Sequence, residues 1–298
     1  MNTNSSLSLQ FLPISVVICT LNEEDNVGDC IDTIRGNNPS EIIVIDGGSN
    51  DNTVKIATGK KAHTIVCERR GLAYQRYVGV DIATQPYVAF IDADDRLDST
   101  VLSAILDELI KNKWKAIGIP SDAFKPSSYW EKAMGFLDIA YHNIPGRTNM
   151  IGRPALYEKE TLILVGIDKY WGIGIGNEDT DLSIRYEKLN IPMGIGTGKL
   201  LRKHPSTFNS CIKTWIKYGK GDAKISLLHP DKKKNMLSQV YRKYFGKMTG
   251  LALRKRQIKY IPFIWMMGIT RFIVAVWYLT VFSERLALHK RLMVKAWK

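Results

Sequence analysis

Cysteine is scarce in this chain. Its 298 residues include only Cys19, Cys30, Cys67 and Cys211, far apart and without C-x-x-C spacing. That excludes a zinc site of the ribbon type and a dense disulfide framework, and makes reduced, cytosolic thiols the expectation. Residues 1–13 lack both a basic n-region and a long apolar h-region, so no secretory signal is expected. Internal repeats and low-complexity tracts are also missing. Acidic residues nearly vanish from the end of the chain: Asp231 to Lys298 hold 16 Lys+Arg against two acids, whereas residues 1–230 hold 26 against 27. The formal charge of +13 is therefore a property of the tail, which suits an anionic surface, either membrane or nucleic acid.

What remains is ordinary globular composition, 45% hydrophobic, enough for one large domain or one domain plus an appendage. Apolar runs Ile14 to Cys19, Ile42 to Ile45, Thr64 to Cys67 and Tyr87 to Ile91 alternate with helical patterns. Val27, Cys30, Ile31 and Ile34 form one stripe at helical spacing, and Val101, Leu102, Ile105, Leu106, Leu109 and Ile110 form another. Such alternation predicts an α/β fold with a mostly parallel sheet flanked by helices. Residues 116–176 are rich in Gly, Pro and aromatics and read as loops and short strands shaping an acceptor pocket, and a further helix begins at Glu178.

The most telling run is Tyr87-Val88-Ala89-Phe90-Ile91-Asp92-Ala93-Asp94-Asp95, a buried-strand pattern that ends in three carboxylates. In a parallel sheet, ligands sit at the carboxyl ends of the strands. Carboxylates packed this closely repel, and an Asp-x-Asp pair suits a hard divalent ion that takes other ligands from a diphosphate. The plainer alternative is an acidic turn, with Asp98 capping the next helix. Thr20-Leu21-Asn22-Glu23-Glu24 closes the first run, where it suits a base or ribose, or caps a helix through Thr20 or Asn22. Asp46-Gly47-Gly48-Ser49 closes the second, where glycines permit close approach to a ligand and equally make a turn. Glu178, Asp179 and Asp181 follow the glycine-rich 172–176 stretch. They read as chemistry, or as acids complementing a helix N-terminus.

Taken together and in this order, these segments resemble the family 2 nucleotide-sugar glycosyltransferases of GT-A fold, over roughly Ile14 to His204. The resemblance implies that Thr20, Asn22, Glu23 and Asp46 line a nucleoside pocket, with Arg76, in the Gly71 to Gly79 stretch, on the nucleotide side. It implies that Asp94 and Asp92 form the D-x-D pair around a divalent cation, Mg²⁺ or Mn²⁺, and that Asp92 also contacts ribose. Asp179 matches the base that takes the acceptor proton in an inverting transfer, with Glu178 steering it or binding the acceptor. His204 stands where some members place a further metal or diphosphate ligand, or is structural. Gly47 replaces a second Asp common among relatives, which puts base specificity in doubt. Cys211-Ile212-Lys213-Thr214-Trp215 departs from the Q-x-x-R-W of processive synthases, which points to single additions. Trp215 to Gly221 resembles a loop of membrane-associated members that could hold a phosphate, or is a basic helix end.

The stretch Tyr260 to Phe282 carries one charge, Arg271, and is long enough to cross a bilayer. A central Arg costs roughly 2.5–3.5 kcal/mol on insertion scales. Arg254, Lys255, Arg256 and Lys259 flank one side and Arg285, Lys290, Arg291, Lys295 and Lys298 the other, which blurs the positive-inside rule. A span, an interfacial helix, a re-entrant hairpin and a buried core helix all fit. The expected organisation is an N-terminal extension over 1–13, a GT-A catalytic domain over 14–228 and a basic helical region over 229–298 with a membrane segment near 260–282.

The expected activity is metal-dependent, inverting sugar transfer from a nucleotide-sugar donor to a lipid-linked or surface-glycan acceptor. It would take place on the cytoplasmic side of a membrane holding anionic lipids. A sugar nucleotidyltransferase would carry a glycine-rich basic loop after the first strand, where this chain has Asn22-Glu23-Glu24. A nucleic-acid-binding tail, with Tyr241, Tyr244 and Phe245 among the cations, would bind with steep salt dependence. The apolar stretch inside that tail favours a membrane, so no nucleic-acid partner is expected.

Overall fold

The computed structural model describes residues 11–139, 144–152, 154–231, 238, 240 and 242–296. Most of the expected N-terminal extension, 1–13, and Tyr241 of the tail lie outside the described residues. The chain forms two compact units. Met1–Phe124, Asn143–Ile173 and Leu182–Lys203 make the first; Lys125–His142, Gly174–Asp181 and His204–Lys298 make the second.

The first unit is α/β. Its strands are β1 (Leu12–Thr20), β2 (Pro39–Asp46), β3 (His63–Val66), β4 (Tyr87–Asp92), β5 (Asp95–Leu97), β6 (Ala116–Gly118), β7 (Ser121–Ala123), β8 (Gly146–Thr148), β9 (Ala155–Glu158), β10 (Met193–Ile195) and β11 (Leu200–Arg202). Eight of them form one sheet in the order β3-β2-β1-β4-β9-β6-β10-β8, and β5-β11-β7 form a small second sheet. Strands β3, β2, β1 and β4 are mutually parallel, while β9 enters antiparallel between β4 and β6. The expected α/β class, a mostly parallel sheet flanked by helices, is what the chain adopts.

Helices α1 (Val27–Arg35), α2 (Thr53–Gly59), α3 (Leu72–Ile82) and α4 (Val101–Lys111) follow the early strands; α5 (Tyr129–Leu137) belongs to the second unit; α6 (Lys159–Val165) and α7 (Glu178–Lys188) come later. One apolar cluster joins Val16 and Ile18 of β1 to α1, α2 and α4. A second joins Val17 and the opposite faces of β2 and β4 to α3, α6 and α7. Burial on both faces explains why the early strands read as unbroken apolar runs rather than alternating ones. Neither Thr20 nor Asn22 caps α1, whose N-cap is Asn26, and Asp98 does not cap α4, whose N-cap is Thr100. The polar strand ends are thus not spent on capping.

The second unit is helical among its described residues. With α5 and the start of α7 it contains α8 (Phe208–Leu228), a π-helical segment over Arg242–Met248, α9 (Thr249–Arg254), a 3₁₀ turn over Ile258–Tyr260 and the long α10 (Ile261–Ala296). Trp215, Tyr244, Tyr260 and Phe263 anchor its core, with Trp215 edge-on to Phe263 at 5.1 Å between ring centroids. The stretch Trp215 to Gly221 corrects the expectation of a loop: it lies inside α8. Its backbone N–H groups are taken up by the helix ladder, so they form no phosphate cradle. The glycines there serve close approach instead. A Cβ on Gly219 would sit 2.8 Å from the Arg271 carbonyl of α10, and one on Gly221 would sit 2.3 Å from the Gly176 carbonyl.

Candidate active site

Strand register brings the first set of site residues together. Thr20 pairs with Asp46 across β1 and β2, and Cys19 pairs with Asp92 across β1 and β4, so three polar strand ends share one edge of the sheet. Asp46 is buried and its carboxylate is fully engaged. Oδ2 accepts from the Thr20 hydroxyl at 2.9 Å and the Ser49 hydroxyl at 2.5 Å, while Oδ1 accepts from the Gly48 and Ser49 N–H groups at 2.9 and 2.8 Å. Its immediate role is to shape the Gly47-Gly48-Ser49 turn. Asn22, at φ 57°, a left-handed conformation that Asn tolerates, ties the two strand-end loops together. Its N–H donates to Ser49 Oγ at 2.8 Å, and its side-chain oxygen accepts from the Asn50 N–H at 2.9 Å. Glu23 donates its N–H to Thr53 Oγ1 and accepts from Asn26 at 2.9 Å. Burial pushes the Glu23 carboxyl up, and the charges of Asp92 and Asp51 add to the rise. Buried Gln75, one residue before Arg76, donates to the carbonyls of both Thr20 and Ile45, pinning β1 to β2.

The acidic cluster lies at the end of β4. Ligand oxygens of Asp92, Asp94 and Asp95 all fall within 4.8 Å of one another. Arg202, at the end of β11, is their principal countercharge. Its Nε donates to Asp95 Oδ1 at 2.8 Å, and its Nη2 donates to Asp95 Oδ2 and Asp92 Oδ2, both at 2.9 Å. Buried Arg76 adds a longer contact to Asp92 Oδ1 at 3.4 Å and stacks over Phe90. Burial is the main force pushing the Asp94 carboxyl up to about 7. Arg202 opposes the rise, while Asp95, Asp92 and Glu23 add to it. A carboxylate set this crowded and this short of positive charge is what a divalent cation would complete.

In the second unit, Glu178, Asp179 and Asp181 all occupy the first turn of α7. Asp179 Oδ1 accepts the N–H of Thr180 at 2.8 Å. Asp181 is buried against His229 at 2.8 Å, so it serves the packing of this turn. The residue before the motif, Asn177, sits at φ 66° and donates to Tyr218 O and Asp222 Oδ1. Asp222 in turn receives two bonds from Arg271, 2.9 and 2.7 Å, and Arg271 donates to the Tyr244 hydroxyl at 2.7 Å. The turn carrying Glu178 and Asp179 is thus braced by α8 and α10. Half-buried Lys243 belongs to the same neighbourhood: burial and the charge of Arg271 bring its ammonium down to about 7. His204 Nε2 lies 3.4 Å from Asp138 Oδ2, with its ring almost wholly covered.

Residues 15–206, well over half of the chain, match the Glycosyl transferase family 2. The chain belongs to that family. Among curated family 2 relatives, the lipopolysaccharide core biosynthesis glycosyltransferase LpsC of Rhizobium meliloti (strain 1021) is 33% identical over 112 residues, 36% of this chain and 40% of LpsC. The alignment therefore spans about two-fifths of that relative. The structure of S. aureus TarS residues 1–349 in complex with UDP-GlcNAc superposes with a TM-score of 0.59 at 16% identity, covering 89% of this chain and 82% of that one. GalNAc-T7 with UDP, GalNAc and Mn²⁺ superposes with a TM-score of 0.55 at 15% identity, covering 76% and 52%. At these identities the likeness is one of fold, and the fold is the GT-A fold of family 2.

Within each unit, several residues that hold these candidate groups carry no local signal. Arg202 is 107 positions from Asp95, and nothing in its own neighbourhood announces an acidic partner. Gln75, Asn177 and Asp222 likewise acquire their roles only through the packing around them. Arg271 did stand out, as the one charge in an apolar stretch, but its partner did not.

Proposed function

We propose that this family 2 glycosyltransferase is a metal-dependent inverting enzyme. It takes a sugar from a nucleoside-diphosphate donor and places it on a lipid-linked or surface-glycan acceptor, one unit per encounter, at the cytoplasmic face of a membrane. The observation that carries the proposal is the Asp92, Asp94 and Asp95 cluster, where burial first and the neighbouring carboxylates second push the Asp94 carboxyl up to about 7. Asp94 and Asp92 would hold Mg²⁺ or Mn²⁺. When bound, the cation supplies Lewis-acid stabilisation of the departing diphosphate.

The remaining roles fall to the chain itself. Asp46 holds the turn against which the nucleoside packs, while Thr20, Asn22 and Glu23 line that pocket. Arg76 holds Asp92 in orientation through its contact with Oδ1. Asp179 accepts the proton of the acceptor hydroxyl as its oxygen attacks the anomeric carbon, which needs no covalent intermediate and inverts the centre. Glu178 steers Asp179 or binds an acceptor hydroxyl. His204, held by Asp138, is the further candidate for contact with metal or diphosphate. TarS, solved with UDP-GlcNAc, supports a nucleotide-sugar donor, and the lipopolysaccharide role of LpsC supports a glycan acceptor.

Thermal denaturation against a panel of nucleoside diphosphates, each with Mg²⁺ or Mn²⁺, tests this reading, because a ligand that binds only the folded state raises the melting point. One diphosphate should stabilise the wild type only in the presence of the cation, and should fail to stabilise D94N. A cation-independent response, or equal stabilisation of D94N, would remove Asp94 from the proposed role.

A further inference from the structure

The 3₁₀ turn and the first part of α10 together make the 24-residue stretch Ile258–Val281, long and apolar enough to cross a bilayer, yet only 22% of its most apolar window is buried. Its two faces differ. Phe263, Ile264, Met267 and Ala275 are buried, Gly268 packs against Tyr244, and Arg271 is held on Asp222 of α8. The opposite arc is exposed at Trp265 (45%), Ile269, Phe272, Ile273 (59%), Val276 and Trp277 (52%), at spacings of three and four that keep one helical face. No charge lies on that arc. Just before the helix, Arg254, Lys255, Arg256 and Lys259 are exposed, with exposed Leu253 preceding them and exposed Ile258 among them.

We propose that α10 is a monotopic anchor, lying in the plane of an anionic bilayer with the Trp265–Trp277 face at the acyl boundary, and that it does not span. The proposal deepens the membrane part of the proposed function and rests on it. A span would place lipid around the whole helix. Here the inner face is committed to α8, whose Lys213, Lys217, Lys220 and Asp222 would have to enter hydrocarbon with it, or else Arg271 would lose its carboxylate. An interfacial helix avoids both outcomes: the one charge in the apolar stretch points inward to Asp222, and the outer face is mostly apolar and offers no charge. Tryptophan prefers the headgroup level, and basic residues beside an apolar face seek anionic lipid. Charge complementarity selects lipid over a second copy of this chain, which would bring the same four cations.

The test uses the full chain and preformed vesicles, read by sedimentation without any sugar-transfer assay, so that failure of the catalytic reading leaves it intact. Vesicles containing phosphatidylglycerol should bind at least about tenfold more tightly than phosphatidylcholine alone, and added salt should weaken the difference. The variant W265E/W277E should lose about tenfold or more in binding while still unfolding in one cooperative transition, its melting temperature lowered by the loss of the Trp265 contacts with Thr249 and Phe245. In vesicles of brominated lipids, shallow bromines should quench the fluorescence that this variant lacks. Unchanged binding by W265E/W277E, or quenching dominated by bromines at the bilayer centre, would overturn the proposal. So would a concentration-dependent dimer in lipid-free solution that the variant dissolves.

Discussion

Arg202 closes on Asp95 from the neighbouring strand of the small sheet, Nε to Oδ1 at 2.8 Å and Nη2 to Oδ2 at 2.9 Å, and the same Nη2 reaches Asp92. The fork lets one cation hold two of the three clustered carboxylates, which a point charge would do less well. Asp94 is left as the member with the least compensation.

Removing that guanidinium should be costly. Arg202→Met leaves Asp95 buried without its partner, and the loss of one member of a buried pair typically costs about 3–5 kcal/mol. Chemical denaturation of R202M should show a loss in that range, and R202K should recover only part of it, because an ammonium cannot form the fork. Wild-type stability in R202M would show that Asp95 is satisfied in some other way.

The raised Asp94 carboxyl has a definite consequence for stability against pH in the absence of divalent ions. Its unfolded value is near 3.8 and its folded value about 7, so between these limits the unfolded chain is ionised while the folded chain holds a proton. The contribution is fully present below about 4 and is lost as pH rises through 7. Relative to Asp94→Asn, the wild type should therefore lose melting temperature steadily between pH 4 and pH 7. Mn²⁺ should restore it at the upper end, since a cation favours the ionised form. Parallel curves for the two proteins would contradict the raised value.

Asp179→Asn separates two acceptor chemistries. With a sugar hydroxyl as acceptor, loss of the proposed base should lower kcat by about 10²–10⁴-fold at unchanged donor affinity. With a polyprenyl phosphate, whose oxygen is already ionised near neutrality, the rate should stay close to wild type. Equal loss on both acceptors would mean that Asp179 positions the acceptor rather than deprotonating it.

The glycines of α8 make a packing prediction. Gly219→Ala places a methyl group 2.8 Å from the Arg271 carbonyl and from Val274, so the helices must part. Such overpacking commonly costs about 1–3 kcal/mol. Gly246→Ala, where no atom lies within 4 Å of the added carbon, is the matched control and should be close to neutral. Equal effects at the two positions would mean that α8 and α10 are not held at that distance.

The early strands, helices α1 and α4, and the acidic end of β4 could be read directly, because each is written in consecutive residues or in one helical period. Val27, Cys30, Ile31 and Ile34 are all buried, as their spacing required. Trp215 to Gly221, which reads as a loop or as a basic helix end, lies in the middle of α8. Two glycines in seven residues argue against a helix by propensity, each costing about 1 kcal/mol relative to Ala. The override comes from the carbonyls of Arg271 and Gly176, which approach too closely for any side chain. That information lies in segments distant along the chain.

The division between the two levels is physical. Local order along the chain determined the α/β class, the strand ends where Thr20, Asp46 and Asp92 stand, and the apolar stretch with Arg271 in it, since backbone period and burial pattern are properties of neighbouring residues. Tertiary structure alone decided that Arg202 neutralises Asp92 and Asp95, that Asp222 takes Arg271 away from the outer face of α10, and that Asn177 links that pair to the Glu178-Asp179 turn. Countercharges act through space over a few ångströms, and nothing in the spacing of a chain records which distant residue will supply them.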